Sequence, residues 1–434
     1  MNRRSSLSCA LAVCALTAVS CGSSAADSAS NAPRPGPASL PQLAEAVIPG
    51  STALYSAPDG GVADPATPPS TPAPARAAAR YPVGTTSLTL AVGATRRVPV
   101  QLWYPAVESA RAEAESGRSV LEFEPPGPAR EQWARLNEQA TPYYTQRVMH
   151  AADAPKSAEE PARFPLVVIS HCNDCLRFSY MVVAEQLAAH GFIVGAPDHI
   201  DNTLYDALAG TSVGVDLNDF LEQRRLDILA LTDALLDPEA EVIPDHLRGR
   251  ADPARVGMVG HSFGALTAAY ASTRDPRIRA IGILAMVASL DNRLPVAGDQ
   301  LAARVMLQPL SKPALFLLAE EDRLALFGIN DILRENFKNY PTRAWLATLA
   351  DAGHYSVTNL CGIVDVYADG CGPGVRVGNL FERFTYLNID LATDLTAQLV
   401  RSFFEQELNG QTETSLAQIA ARASAVLKVS ERAP

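Results

Sequence analysis

A single serine stands between two glycines in the stretch Gly260-His261-Ser262-Phe263-Gly264. An apolar run over residues 256–259 predicts a strand before it, and residues 265–270 read as the start of a helix. The serine would then lie at a sharp turn, where side chains in place of the two glycines would clash as strand and helix pass closely. A hydroxyl held out at such a turn can act as a nucleophile.

A serine hydroxyl is a weak nucleophile at neutral pH and needs a base within hydrogen-bonding reach. The turn resembles the nucleophile elbow of α/β-hydrolases, in which the chain order is serine, acid, histidine. Of the seven histidines, six precede Ser262 and only His354 follows it. This order predicts His354, in a Gly-His turn after an apolar run, as the base.

A carboxylate must orient that imidazole and stabilise its protonated form. Asp322 is favoured because it comes just after the carboxyl end of a predicted buried strand, at the edge of the sheet where the serine turn opens. Glu321 is the second choice. The acidic residues considered between serine and histidine are Asp275, Asp291, Asp299, Glu320, Glu321, Asp322, Asp331 and Asp351.

The oxyanion of an acyl-transfer intermediate needs two hydrogen-bond donors. The backbone N–H of Phe263, next after the serine, is predicted to supply one. The second is expected from the loop at residues 171–173, which follows the first buried strand.

Strands and helices alternate along the chain in the way that builds a mostly parallel sheet with right-handed crossovers. Alternating residues at 87–92 and 97–103 predict an initial hairpin, and Leu391, Leu395, Leu399 and Phe403 mark a closing helix. Insertions are expected within residues 107–160, whose aromatic side chains either cover a site or pack in the core, and within 201–250. The other predicted strands are 164–170, 192–196, 278–285, 314–319 and 343–349, and the other helices are 178–190 and 218–236.

The N-terminal 21 residues resemble an export leader, with Arg3 and Arg4 before an apolar stretch too short to span a bilayer. Ser20-Cys21 resembles a bacterial lipoprotein cleavage site, which predicts lipidation of Cys21 and a membrane anchor on the exported side. The alternative is an ordinary secretory leader cut near Ala25 or Ala26. Residues 22–80, rich in Ala, Pro, Ser and Gly, predict a disordered tether. Residues 81–408 form the predicted catalytic domain, and 409–434 a C-terminal tail.

Four cysteines remain after the leader: Cys172, Cys175, Cys361 and Cys371. In an oxidising compartment an even number favours disulfides. Sequence allows three pairings, of which the local one is our first choice, Cys172 with Cys175 and Cys361 with Cys371. A zinc site from the four thiols is a poor match to finger spacing, and no thioredoxin-like unit surrounds the CxxC.

The composition describes a globular chain, with 47% hydrophobic and 19% charged residues. The net charge of −11 argues against nucleic acid or an anionic membrane surface as the main partner.

Together, residues 97–106, 164–201, 256–271, 314–322 and 353–361 resemble the platelet-activating-factor acetylhydrolase and dienelactone-hydrolase-like esterases. The resemblance implies an α/β-hydrolase fold with no metal or cofactor, and it puts that family's serine, aspartate and histidine on Ser262, Asp322 and His354. The family's second oxyanion donor falls on Asn173, but Cys172 stands where that family has glycine. A side chain at this position narrows the range of backbone angles that the residue can adopt. We therefore expect the site that binds the oxyanion to be reshaped, or to be held in place by a Cys172–Cys175 bridge.

The resemblance implies a serine esterase for short-chain or acetylated phospholipid-like esters, with a polyester or cutin-type substrate as the alternative. Two further hypotheses stay open at this point. One is a non-catalytic binding lipoprotein on a hydrolase scaffold, and the other is a cofactor-free peroxidase with a similar set of residues.

Overall fold

The computed structural model describes residues 78–152, 162–211, 217–286, 310–323, 328–410 and 412–433. The predicted leader, the lipidation site at Cys21 and the tether up to residue 77 lie outside the described residues. The acid candidates Asp291 and Asp299 also lie outside them.

The described residues form thirteen strands, nine of which build one central sheet. In chain order the strands are β1 Val83–Val92, β2 Arg96–Pro105, β3 Arg118–Ser119, β4 Val148–Met149, β5 Phe164–Ser170, β6 Ile193–Pro197, β7 Ala251–His261, β8 Ile278–Leu284, β9 Ala314–Ala319, β10 Ala344–Leu349, β11 Pro373–Arg376, β12 Asn379–Thr385 and β13 Leu427–Arg432. The order across the central sheet is β1-β2-β6-β5-β7-β8-β9-β10-β13, while β3 pairs with β4 and β11 with β12.

The sheet is mostly parallel, as predicted. Neighbours from β6 to β10 run parallel, and antiparallel pairing is confined to β1, β2 and the edge strand β13. The strand order reverses at β5, which has β6 on one side and β7 on the other. In open α/β sheets such a reversal opens a crevice at the carboxyl ends of the strands. The crevice here lies where β5 and β7 end.

Helices cover both faces of the sheet. Their bounds are α1 Arg111–Ser116, α2 Pro128–Gln139, α3 Met181–Ala189, α4 Leu204–Ala209, α5 Leu217–Leu236, α6 Phe263–Arg274, α7 Ile329–Lys338, α8 Ile389–Asn409 and α9 Leu416–Arg422. Helices α3 and α8 bury their apolar residues on one face, and α5, α6 and α7 on the other. Among the described residues, no helix combines the length and the apolar character that a membrane span requires.

Strand β5 contributes side chains to the helix layers on both faces of the sheet. Val167 and Ile169 point to the α3 and α8 side, whereas Leu166 and Val168 point to the α5 and α6 side. All seven residues of β5 are buried. A strand buried on both faces reads as a continuous apolar run, which is why its bounds could be predicted from the sequence.

The first insertion contributes to the core. Trp133 on α2 is 3% exposed, and its ring centroid lies 6.5 Å from that of Phe178. Of the two readings of the insertion's aromatic residues, core packing therefore holds for Trp133. Tyr143 is 46% exposed and does not share that packing.

The C-terminal segment differs from the prediction of a separate tail at 409–434. Helix α9 buries Leu416 and Ile419, and β13 pairs with β10 along its whole length, from Leu427 opposite Leu349 to Arg432 opposite Ala344. The described part of this segment is thus the ninth strand of the sheet and the helix that leads to it. An edge strand is half exposed, so its charged outer residues hid the pattern.

Candidate active site

Ser262 occupies the sharp turn between β7 and α6. Its backbone has φ 54° and ψ −124°, a strained conformation for a residue with a side chain. The turn is tight because a Cβ on Gly260 would lie 2.0 Å from the carbonyl oxygen of Gly264, and one on Gly264 would lie 2.1 Å from that of Ser170. The two glycines are therefore required by close backbone approach, as the sequence predicted.

The structure brings Ser262, His354 and Asp322 into one hydrogen-bonded chain. His354 Nε2 lies 2.9 Å from Ser262 Oγ, and His354 Nδ1 lies 2.7 Å from Asp322 Oδ2. A carboxylate can only accept, so the proton is on Nδ1 and the Nε2 lone pair faces the hydroxyl. This tautomer is the one that a base for Ser262 requires.

Burial and charge act in opposite directions on His354. Burial lowers the pKa of the imidazole, but the Asp322 carboxylate, its hydrogen bond and the charge of Asp369 together raise the pKa above its ordinary value. Asp322 is 1% exposed, so little solvent screens this pair. The site therefore favours the imidazolium that forms when the serine loses its proton.

Four of the other acid candidates that the structure describes are paired with arginines. Glu321, the second choice, accepts from Arg376 at 3.0 Å and from the Val377 N–H at 2.8 Å. Asp351 pairs with Arg376. Asp275 pairs with Arg277 just after the end of α6, and Asp331 pairs with Arg334 within α7.

The turn that carries His354 is fastened to a loop that sequence reasoning missed. The Tyr355 N–H donates to the Asp369 carbonyl at 2.7 Å, and Ser356 Oγ donates to the Gly370 carbonyl at 2.7 Å. The Asp369 carboxylate accepts from the Tyr386 hydroxyl at 2.7 Å. Asp369 follows the histidine in the chain, so the order serine, acid, histidine does not point to it. No spacing rule indicates it either.

Both predicted disulfides are present, Cys172–Cys175 and Cys361–Cys371. The second closes the loop that holds the His354 turn. This pairing uses all four thiols, so the zinc alternative is not adopted.

The two predicted oxyanion donors lie at the same edge of the sheet. Ser170 of β5 is opposite Gly260 of β7, and Asn173 and Phe263 each come three residues later. Phe263 is the first residue of α6, so its N–H has no acceptor within the helix. Asn173 is exposed. Cys172 is not among the residues of the described chain with positive φ, whereas Asp174 has φ 53°.

A second serine, histidine and carboxylate set lies beneath this edge. Ser170 Oγ is 3.0 Å from His199 Nε2, and His199 Nδ1 is 3.0 Å from Asp227 Oδ2. All three residues have 0% exposure, so no substrate can reach them. They form a structural network under the loop after β5.

Comparisons with known proteins show which family this chain resembles. Residues 70–213 match the family model described as platelet-activating factor acetylhydrolase, isoform II. The platelet-activating factor acetylhydrolase of Cavia porcellus is 30% identical over 149 residues, covering 27% of this chain and 34% of that protein. That of Bos taurus is 26% identical over 180 residues, covering 34% of this chain and 39% of that protein. The predicted resemblance is confirmed.

These matches span 34% and 39% of the two relatives' lengths. The family-model match includes Asn173 and stops before Ser262. Among solved structures, the ferulic acid esterase from Streptomyces cinnamoneus superposes with a TM-score of 0.56 at 21% identity, covering 82% of this chain and 98% of that one. The fold is that of an α/β-hydrolase.

Proposed function

We propose that this protein is a serine esterase that hydrolyses carboxylic esters through an acyl-enzyme. The observation that carries the proposal is the continuous chain from Ser262 Oγ to His354 Nε2, at 2.9 Å, and from Nδ1 to Asp322, at 2.7 Å. The serine at its apex sits on a strained turn at the mouth of the sheet. The relatives' names support the same class of reaction.

In the proposed mechanism, Ser262 Oγ attacks the ester carbonyl carbon while His354 Nε2 takes the hydroxyl proton. The N–H groups of Phe263 and Asn173 stabilise the oxyanion. The intermediate collapses, and the alcohol leaves with the proton from Nε2. Water then attacks the acyl-enzyme, again losing its proton to Nε2, and the carboxylic acid and the free serine are released. Asp322 holds the imidazole and stabilises its charged form throughout.

The proposed substrates are short-chain or acetylated phospholipid-like esters, which the names of the relatives support. A polyester or cutin-type substrate is the alternative. One aromatic ring lies against the reacting groups, since the centroid of the Tyr355 ring is 5.0 Å from that of His354. An apolar surface of this kind suits the uncharged acyl part of an ester.

A p-nitrophenyl ester series of increasing acyl length tests the proposal, with Ser262→Ala as the control. We expect turnover that is highest for the shortest acyl chains and is lost in the variant. Activity that persists in Ser262→Ala would refute the assignment of the nucleophile. Activity that rises with chain length, or appears only on solid polyester, would move the substrate class to the alternative.

Fluorophosphonate labelling separates an enzyme from a non-catalytic binding protein. We expect a single adduct at Ser262 in the wild-type protein. An intact protein that does not react would favour the binding scaffold. Peracid-dependent halogenation by the same preparation, without ester hydrolysis, would favour the peroxidase.

We also propose that the protein is exported and anchored through a lipid on Cys21. The support is the leader-like sequence before that cysteine. Labelling with a fatty-acid analogue in a bacterial host should mark the wild-type chain and leave Cys21→Ala unlabelled. Equal labelling of both chains, or of neither, would contradict the anchor.

A further inference from the structure

A buried arginine stands behind the loop that follows β5. Arg224, on α5, has 0% exposure. Its Nη2 donates to the backbone carbonyl of His171 and, at 3.4 Å, to that of Cys172. Its guanidinium lies 4.9 Å from the centroid of the Phe263 ring. One cation thus contacts both segments that carry the proposed oxyanion donors.

The charge of Arg224 has poor compensation within the described residues. Asp227, three residues later, is bonded to Arg96 at 3.0 Å and to His199 at 3.0 Å. Nε and Nη1 of Arg224 have no hydrogen-bond partner among the described residues. Burial lowers the pKa of Arg224 to about 9, so the group stays charged at neutral pH. The carboxylates of Asp227 and Asp174 attract this charge, but Arg224 forms no ion pair among the described residues. A buried charge without such a partner destabilises a fold, which indicates that Arg224 serves something other than stability.

Hydrogen bonds fix the direction of the Cys172–Asn173 peptide. The backbone N–H of His199 donates to His171 Nε2 at 2.9 Å. Because Nε2 accepts this bond, the proton of the neutral ring is on Nδ1, which then donates to the Cys172 carbonyl at 2.7 Å. Burial lowers the pKa of His171 and keeps the ring neutral. The Cys172 carbonyl therefore receives side-chain donors from His171 and from Arg224, in addition to the Cys175 N–H at 3.4 Å.

In a trans peptide the carbonyl and the N–H point in opposite directions. With the Cys172 carbonyl held toward Arg224 in the interior, the N–H of Asn173 points away from the interior. Asn173 is exposed at the edge of the sheet where Ser262 opens. In the proposed mechanism an ester carbonyl reaches Ser262 at this same edge of the sheet.

We propose that Arg224 is a positioning residue for the oxyanion hole. It holds the Cys172–Asn173 peptide and packs on the Phe263 ring, so that the N–H groups of Asn173 and Phe263 converge on the developing oxyanion. Arg224 does not touch the substrate. The inference rests on the proposed function, and its test separates the two.

The test is Arg224→Met in the full chain, with kcat expressed per active site titrated by a fluorophosphonate. Removing one oxyanion donor costs about 10²–10³ in kcat. Here the donor is misaligned rather than removed, so we expect kcat to fall about 10- to 100-fold with KM nearly unchanged. Because an uncompensated buried charge is removed, Tm should stay level or rise.

Inhibition by a short alkyl trifluoromethyl ketone provides a second readout, because its adduct with serine carries the oxyanion. Its Ki should rise by the same factor by which kcat/KM falls. The inhibition constant of the matching methyl ketone should not change. A merely structural role would lower Tm and leave kcat per titrated site and both constants at wild-type values, which would overturn the proposal.

Arg401→Met is the matched control. Arg401 is a buried arginine on α8, bonded to Glu405 at 3.0 Å and apart from the oxyanion loop. We expect a lower Tm with wild-type kcat per titrated site. If Arg224→Met does not fold, Arg224→Lys keeps a charged donor and should show a smaller fall in kcat, with a ketone Ki that rises by the same smaller factor. Wild-type protein that neither hydrolyses esters nor labels at Ser262 would refute the proposed function, whereas labelled Arg224→Met with wild-type kcat would refute only this inference.

Discussion

Replacing Asp322 by asparagine tests the proposed chemistry most directly. The carboxylate accepts from His354 Nδ1 at 2.7 Å and so leaves the Nε2 lone pair facing Ser262. The asparagine amide can donate to Nδ1 instead, which puts the proton on Nε2 and removes the base. By analogy with other serine hydrolases, we expect kcat to fall by about 10⁴. At about 1.36 kcal/mol per tenfold, this fall is about 5.4 kcal/mol of lost transition-state stabilisation.

The pH profile gives the same variant a signed prediction. The base works as neutral imidazole, so activity falls as the pH drops through the pKa of His354. In the wild-type protein the charge of Asp322 and its hydrogen bond raise that pKa against burial. With a neutral amide at position 322 the attraction of the carboxylate is lost, whereas the effect of burial remains and lowers the pKa of His354. The acid limb of the residual activity should therefore move to lower pH in Asp322→Asn.

The assay is kcat/KM for p-nitrophenyl acetate across the pH range in which the protein stays folded. Asp369→Asn is the matched control, because this carboxylate also raises the pKa of His354 but bonds Tyr386 rather than Nδ1. It should shift the limb in the same direction with a far smaller loss of kcat. An Asp322→Asn variant within tenfold of wild type, or an acid limb that moves to higher pH, would refute the reasoning.

Three further predictions concern the scaffold. Gly264→Ala should destabilise the fold by several kcal/mol, since its Cβ would lie 2.1 Å from the Ser170 carbonyl. Gly378→Ala is the control, because a Cβ at that glycine would have no atom within 4 Å, and its Tm should be close to that of the wild type. Equal Tm values for the two variants in a thermal melt would contradict the close backbone approach at Gly264. Replacing both cysteines of the Cys361–Cys371 bridge by serine should lower the free energy of unfolding by about 2–3 kcal/mol in a denaturant titration. It should also lower kcat, because the loop holds the His354 turn; unchanged kcat would show that the loop does not position this turn. Deleting residues 411–434 removes β13 and the apolar residues of α9, so we expect insoluble or unfolded protein by circular dichroism, and a cooperative melt at wild-type Tm would contradict that.

Strands buried on both faces were the most predictable elements. Residues 164–170 and 314–319 were predicted as strands and form β5 and β9 with those bounds. Apart from Ser170, every residue of these two strands is apolar, so polar residues mark where they end. The edge strand β13 has only alternate residues facing the core, and lysine, serine and glutamate fill the rest. That pattern is too weak to separate a strand from a surface segment.

Helix α5 was predicted with nearly correct bounds. Not every leucine in it faces the core, since Leu226 is 40% exposed. The buried positions include Leu221, Arg224, Ile228, Leu231 and Leu235. Their spacing of three and four residues follows the helical period, and Arg224 stands among them. A charged residue in phase with an apolar stripe was the signal that could have found it.

The order of residues along the chain was enough to predict the members of the candidate triad. A single histidine after the serine left one choice, and the end of a buried strand indicated Asp322. Asp369 was not predictable, because a loop closed by a disulfide brings it behind His354. Its place depends on tertiary packing and not on any local pattern.

The proposed oxyanion loop, residues 171–173, has Cys172 where the resemblance predicts glycine. Glycine is needed where φ is positive or where backbones pass closely, and Cys172 is not among the described residues with positive φ. The left-handed conformation falls instead on Asp174, at φ 53°. The loop is then ordered by the Cys172–Cys175 bridge and by the donors from His171 and Arg224 to the Cys172 carbonyl. If these bonds replace what glycine supplies elsewhere, Cys172→Gly should leave kcat nearly unchanged while Arg224 is present. The double variant with Arg224→Met should then lower kcat by more than the product of the two single-variant factors. Simple multiplication of the two effects would mean that the bridge and the arginine act on separate parts of the site.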